Sequence, residues 1–338
     1  MRTLTHADAF QVLLLQAADA SRGDILFGES LSRARTASLP FMVGKEFPNV
    51  YLEFPLAGNP FLDVTILLGE IDPGTRIASE AADGTDAVLD WYAQEKPGYE
   101  RISFGYELDT KEADLAPAAV HFQPREKTNL VRPFFQALGE PERADLYLDL
   151  ASRMPEGWPL SFMGLFRGRP GSPLRVCGYP FGTEGDACAQ DPERLGSVFR
   201  RIGFTAYTDT MLEQASRLMA TAPGGTDFQL DVYPDGTLGD TFAIDVQFGI
   251  HQPQAVMSSF ANGESSNVMR LLEGWGIADS RWPLGAQAAF ARSIPVELDD
   301  GTMGRYALTL MPQWVKVRWR NGVLVPSKLY MLAHAGLL

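Results

Sequence analysis

The chain has 338 residues, 45% of them apolar and 21% charged, enough to bury a full core. Its 29 Lys and Arg against 42 Asp and Glu leave a net charge of −13, a field that repels nucleic acid and anionic membrane surfaces, so neither is an expected partner. Two cysteines, Cys177 and Cys188, cannot build a disulfide framework or a four-thiolate zinc site. No run of about 18 apolar residues occurs, so no membrane-spanning helix is expected either.

The opening segment carries Asp8 just ahead of its apolar run, which suits an amphipathic helix better than a signal peptide, and the expected location is the cytoplasm. Alternating or apolar runs predict a first strand pair at 49–56 and 61–70, around a Gly58-Asn59-Pro60 turn. A helical period follows at 85–94, then a second strand pair at 101–108 and 118–123. Helices are predicted at 128–138 and 140–154, the latter opening on Glu140-Pro141-Glu142. A third pair falls at 160–167 and 173–179. Helices at 191–202, starting at Asp191-Pro192-Glu193, and 208–220 come next. The fourth pair is 227–233 and 241–248, across Pro234-Asp235-Gly236. Helical periods at 254–275, broken near Gly263, and at 284–292 lead to the fifth pair, 314–320 and 323–332. Asn321-Gly322 at its turn is a strong hairpin signal.

Parallel βαβ units place single strands between helices, and paired strands fit that badly. The expected fold class is therefore α+β. About ten antiparallel strands, built from five hairpins, close into a barrel surrounded by helices, and one such domain spans 1–338. Closure removes the edges a ten-stranded open sheet would expose. An open sheet with its second face in water is the plainer alternative. In the barrel, the apolar face of each strand packs against helices. The opposite face lines the lumen with Tyr51, Glu53, Thr65, Arg101, Glu107, His121, Arg167, Arg175, Tyr179, Gln229, Asp231, Asp245, Gln247, Lys316, Arg318, Lys328 and Tyr330. So wide a barrel makes its lumen a candidate ligand cavity.

Three patches carry a resemblance. The first hairpin reads NVYLEFPLAGNPFLDVTILLGE, with Leu52-Glu53 in its opening strand. The central one reads GLFRGRPGSPLRVCGY and contains Arg175. The last, KVRWRNGVLVPSKLYML, offers Lys316-x-Arg318 and Lys328-x-Tyr330. In these patches and in element order the chain resembles the ABBA-type prenyltransferases, especially the cyanobactin-type peptide prenyltransferases. The resemblance implies transfer of a short allylic prenyl group from its diphosphate to an aromatic or other nucleophilic side chain, or to a small aromatic acceptor. The side chain could belong to a peptide natural-product precursor. It implies diphosphate contacts from Arg101, Arg167, Arg175, Lys316, Arg318, Lys328, Tyr179 and Tyr330. Such cations neutralise departing pyrophosphate. Glu53 is the expected proton acceptor, with Tyr51 and His121 shielding the allylic cation and the acceptor. No cofactor is firmly implied, although Mg²⁺ could accompany the diphosphate.

Departures from that pattern are visible. Thr65 stands where peptide-prenylating relatives tend to carry Arg, and Asp231, Tyr233, Asp245 and Gln247 stand where further bases would serve. Acids facing a diphosphate repel it, so a barrel that binds a peptide or small molecule without this chemistry is the competing expectation. Nucleotide-cradling glycine loops and an aspartate-rich DDxxD motif are absent; Asp299-Asp300 reads as a turn. His6, His121, His251 and His334 lack metal-ligand spacing. Cys177 reads as a small buried hydrophobe, and the basic patch at 124–132 as a solvated face, with a contact for a leader or substrate peptide as its alternative.

Overall fold

The computed structural model describes residues 5–21, 23–98, 102–111, 115–124, 127–250, 252–297 and 302–337. Its strands are β1 (Asn49–Pro55), β2 (Asp63–Leu68), β3 (Ser103–Leu108), β4 (Ala119–Gln123), β5 (Leu160–Leu165), β6 (Leu174–Gly178), β7 (Thr226–Val232), β8 (Leu238–Gln247), β9 (Phe290–Glu297), β10 (Met303–Arg320) and β11 (Val323–Leu337). They form one antiparallel sheet in the order β11-β1-β2-β3-β4-β5-β6-β7-β8-β10-β9, and the additional β10–β11 pairing closes it. Strands β1–β8, β10 and β11 are the staves of a ten-stranded barrel, as the hairpin pattern predicted. The helices lie between consecutive hairpins: α1 (His6–Ser21), α2 (Gly23–Leu26) and α3 (Ser30–Ser38) before the first, α4 (Asp86–Glu95) after it, then α5 (Val131–Ala137), α6 (Arg143–Arg153), α7 (Gly182–Gln190), α8 (Pro192–Ile202), α9 (Asp209–Thr221), α10 (Pro253–Asn262), α11 (Glu264–Gly274) and α12 (Trp282–Gln287).

Local chemistry sets these boundaries. The Asp191 carboxylate accepts from the Glu193 backbone N–H ahead of Pro192, and Gly203 ends α8 in the left-handed region at φ +84°. Asn321 and Gly322 both have positive φ, 50° and 74°, the twist that suits a tight β10–β11 turn. Along the strands, the helix-facing set includes Leu52, Phe54, Val64, Ile66, Phe104, Tyr106, Phe122, Met163, Leu165, Val176, Leu230, Ile244, Val317 and Trp319, all buried. The core is therefore the annulus between sheet and helices, and the lumen is left to the other face. Among the described residues no helix is long and apolar enough to cross a membrane.

The fifth repeat departs from expectation. The helix predicted at 284–292 ends at Gln287, and Phe290 opens β9, which pairs with Met303–Leu310 of β10. Apolar spacing hid the switch, because the run beginning at Phe290 fits either period. Pro295 is tolerated there because β9 is an edge strand. Strands β10 and β11 also run well past their predicted ends, so a three-stranded extension stands beyond the barrel.

Candidate active site

The lumen holds a cavity of about 390 Å³. Its lining brings together Tyr51, Glu53, His121, Arg175, Tyr179, Lys316 and Tyr330 of the predicted site, with Thr65, Glu107, Gln229, Asp245 and Gln247. One wall is aromatic. The Trp314 ring stacks on Tyr330 with centroids 5.0 Å apart and meets Tyr51 at 4.8 Å. Lys316 donates to the Tyr330 hydroxyl at 2.7 Å, with its ammonium 4.5 Å from that ring's centroid. Glu53 faces Tyr330 across β1–β11 and is only 1% exposed. Its Oε1 accepts from the Thr65 hydroxyl at 2.5 Å, and its Oε2 has no hydrogen-bond partner. Thr65, the departure noted in the sequence, thus orients the carboxylate. Burial, together with the charges of Glu53, Glu107 and Asp245, holds the Tyr330 phenol well above its ordinary value, so it stays neutral and able to donate.

The opposite wall is a charged cluster. The Arg175 guanidinium makes two bonds to Asp231, at 2.8 and 3.0 Å. Burial opposes both charges, but the pairing raises Arg175 and lowers Asp231. His121 Nε2 lies 3.3 Å from Glu107 Oε2, and Arg169 donates to Glu107 Oε1 at 3.0 Å. Burial would raise Glu107, yet the His121 contact and the Arg169, His121 and Arg175 charges hold it well below the carboxylate range. The His121 ring stacks on Phe162 at 5.1 Å, over Gly164. A Cβ at Gly164 would sit 2.5 Å from two imidazole atoms, so a glycine is what admits the ring. Burial pushes the lumenal Cys177 thiol far up, which keeps it protonated and poorly nucleophilic.

Not every predicted residue reaches the cavity. Arg167 follows the parity of Met163 and Leu165, which face the helices, and bonds to Glu140 and to the Leu138 carbonyl outside the barrel wall. That corrects its lumenal placement. Lys328 is engaged by Asp63 at 2.7 Å and lies 3.6 Å from Glu53, beside the lining rather than in it. Arg318 also lies off the lining; its Nε has no hydrogen-bond partner, and burial lowers its pKa. Arg101 lies outside the described residues. Sequence reasoning missed Trp314, although it shares a strand face with Lys316, and Asp227, which shares one with Gln229. Phe162 was also missed, because a bulge in β5 between Leu160 and Phe162 breaks the alternation. Among the described residues no group of three or more His, Cys, Asp or Glu side chains is placed to hold a metal ion.

No family model and no curated protein sequence matches this chain. Solved structures do. A 5-dimethylallyltryptophan synthase from Streptomyces coelicolor superposes with a TM-score of 0.54 over 98% of this chain and 97% of its own, at 12% identity. The fold is the ABBA-type prenyltransferase barrel. Prenyltransferase PriB shares it at a TM-score of 0.56 and 13% identity, over 98% of this chain and 96% of its own. A 6-dimethylallyltryptophan synthase from Micromonospora olivasterospora, solved in complex with DMASPP and Trp, matches at 0.55 and 15% identity, over 97% of both chains. What these ABBA barrels share with the chain is architecture across nearly its full length. The narrower resemblance to the cyanobactin-type branch is not part of that likeness.

Proposed function

We propose that the protein is a prenyltransferase that moves a short allylic prenyl group from its diphosphate to an aromatic acceptor inside the barrel. The observation that carries this reading is the meeting, in one closed lumen, of the Tyr51–Trp314–Tyr330 ring wall, the Lys316 ammonium and the buried Glu53 carboxylate. Ionisation breaks the allylic C–O bond and leaves a carbocation and pyrophosphate. Arg175 and Lys316 neutralise the pyrophosphate, and the Tyr330 hydroxyl, already accepting from Lys316, has its own proton to donate. The ring faces stabilise the cation and keep water from it. The acceptor's π electrons form the new C–C bond, and Glu53 takes the proton released as the ring regains aromaticity. Solved neighbours named as dimethylallyltryptophan synthases support an aromatic acceptor. The cavity lies within the usual range for small-ligand sites. It suits a short prenyl donor beside one aromatic ring, either a free small molecule or a side chain presented by a peptide.

A second reading has a specific observation behind it. Arg175 and Lys328 each carry a carboxylate partner, and Glu53, Glu107, Asp227 and Asp245 line the cavity against Arg175 and Lys316. That balance favours a barrel that binds its ligand without a diphosphate. Calorimetry with dimethylallyl thiolodiphosphate separates the two. Transfer predicts binding that Arg175→Ala weakens by about 1.5–3 kcal/mol, the range for hydrogen bonds to charged groups. No binding, with or without Mg²⁺, would leave the second reading.

A further inference from the structure

The transfer reading leaves the acids of β7 and β8 without a role. Asp227 and Asp245 are direct Cα partners on these neighbouring strands, so their side chains stand opposite each other on one face, and both line the cavity. Like charges directly opposite in an antiparallel pair are destabilising, and burial sharpens the cost. Each acid is held diagonally by a glutamine. Gln229 Nε2 donates to Asp245 Oδ2 at 2.5 Å, and Gln247 Nε2 donates to Asp227 Oδ2 at 2.8 Å. In the sequence this is a mirrored pair, Asp227-x-Gln229 and Asp245-x-Gln247.

The arrangement leaves acceptors unmet. Asp245 Oδ1 and Gln229 Oε1 are buried without a hydrogen-bond partner, on residues only 5% and 8% exposed. Lys316 is Asp245's partner across β8–β10, yet its ammonium donates to the Tyr330 hydroxyl instead. Unmet acceptor oxygens beside two opposed carboxylates call for a donor that also brings positive charge. A protonated primary amine supplies three N–H donors and that charge; a neutral hydroxyl or amide supplies no charge. Trp314 is the Cα partner of Gln247, so the aromatic wall begins one strand away.

We propose that Asp227, Gln229, Asp245 and Gln247 bind the protonated amine of an aromatic ligand whose ring lies against Trp314. The acceptor class is thereby an aromatic compound with a short amine-bearing arm. Only the word acceptor rests on the transfer reading, because the amine site stands without it.

The test is calorimetry without any prenyl donor, using tryptamine and 3-ethylindole as probes that differ in the amine. Wild type should bind tryptamine about tenfold or more tightly than 3-ethylindole, the worth of a charged hydrogen bond. Asp245→Asn keeps the shape and should remove most of that preference while leaving 3-ethylindole unchanged. Equal affinities in the wild type would overturn the proposal, and so would an undiminished preference in Asp245→Asn. Mg²⁺ binding that Asp245→Asn abolishes, with no tryptamine preference, would assign the acids to a metal and overturn it equally. If the variant fails to fold, the wild-type comparison decides alone. A tryptamine preference without any prenylated product would sink the transfer reading and leave the amine site intact.

Discussion

Lys328→Met removes an ammonium shared by two buried carboxylates. Lys328 Nζ lies 2.7 Å from Asp63 and 3.6 Å from Glu53, whose side chains are 4% and 1% exposed as residues. Two acids with one lysine cannot both be fully compensated. Burial lifts Asp63 to about 6, with Lys328 opposing and the Glu53 charge assisting. Burial would lower Lys328, but Asp63 and Glu53 outweigh it and raise it. Breaking a buried ion pair from one side costs about 3–5 kcal/mol, and the adjoining cavity puts this case at the lower end, about 3 kcal/mol. Unfolding entropy of about 2.1 cal/mol/K per residue gives about 0.7 kcal/mol/K for a chain this long, so the Tm should fall by about 4 °C. The sign with pH follows from the raised carboxylate. A carboxyl whose folded pKa is raised contributes stability below its ordinary value and loses it as the pH rises through the folded value. Without Lys328 that folded value climbs further, so the deficit should be largest above pH 6 and narrower at pH 5. Adding Asp63→Asn, which keeps an acceptor for the Thr110 N–H now bonded to Asp63, should recover most of the loss. Scanning calorimetry at pH 5 and 7.5 on the three proteins measures all of this. A Lys328→Met protein that melts with the wild type at pH 7.5, or whose deficit is equal at both pH values, refutes the shared-lysine account.

Gly164→Ala should cost about 1–3 kcal/mol, because the new methyl would lie 2.5 Å from the His121 ring and force it off Phe162; an unchanged melting curve would mean that the imidazole has room to spare. Glu107 is held below its ordinary 4.5, so its stabilising contribution is present above that value and lost as the pH falls through the depressed one. Glu107→Gln should therefore flatten the acid limb of the unfolding curve, and an acid limb identical to the wild type's would deny the His121–Glu107–Arg169 cluster its weight.

Barrel closure was legible because each stave carries its period-two pattern locally, and because hairpins such as the one at Asn321-Gly322 announce their own turns. Lumenal parity was equally legible on straight strands. Glu53, His121, Arg175 and Lys316 arrive where alternation placed them. Parity failed where geometry is not local. The bulge in β5 resets its alternation, so Phe162 enters the lining and Arg167, in step with Met163 and Leu165, points outward to Glu140. Partnership was not legible at all. That Lys328 serves Asp63, or that Arg175 is already bonded to Asp231, depends on the pairing of strands far apart in sequence. The register that sets Asp227 against Asp245 is likewise a product of pairing rather than of either strand alone.

Prenyl transfer in this lumen, with Glu53 as the proposed proton acceptor, stands or falls on its product. The most direct measurement is product formation, followed by mass spectrometry, from dimethylallyl diphosphate and tryptamine with wild type and Glu53→Gln. The wild type should give a prenylated product and the variant a turnover about 10²–10⁴-fold lower, the usual contribution of a positioned base, with donor affinity little changed. Equal turnover by the two proteins would remove Glu53 from the chemistry. A wild type that binds the thiolodiphosphate yet prenylates neither tryptamine nor any aromatic acceptor offered would contradict prenyl transfer itself.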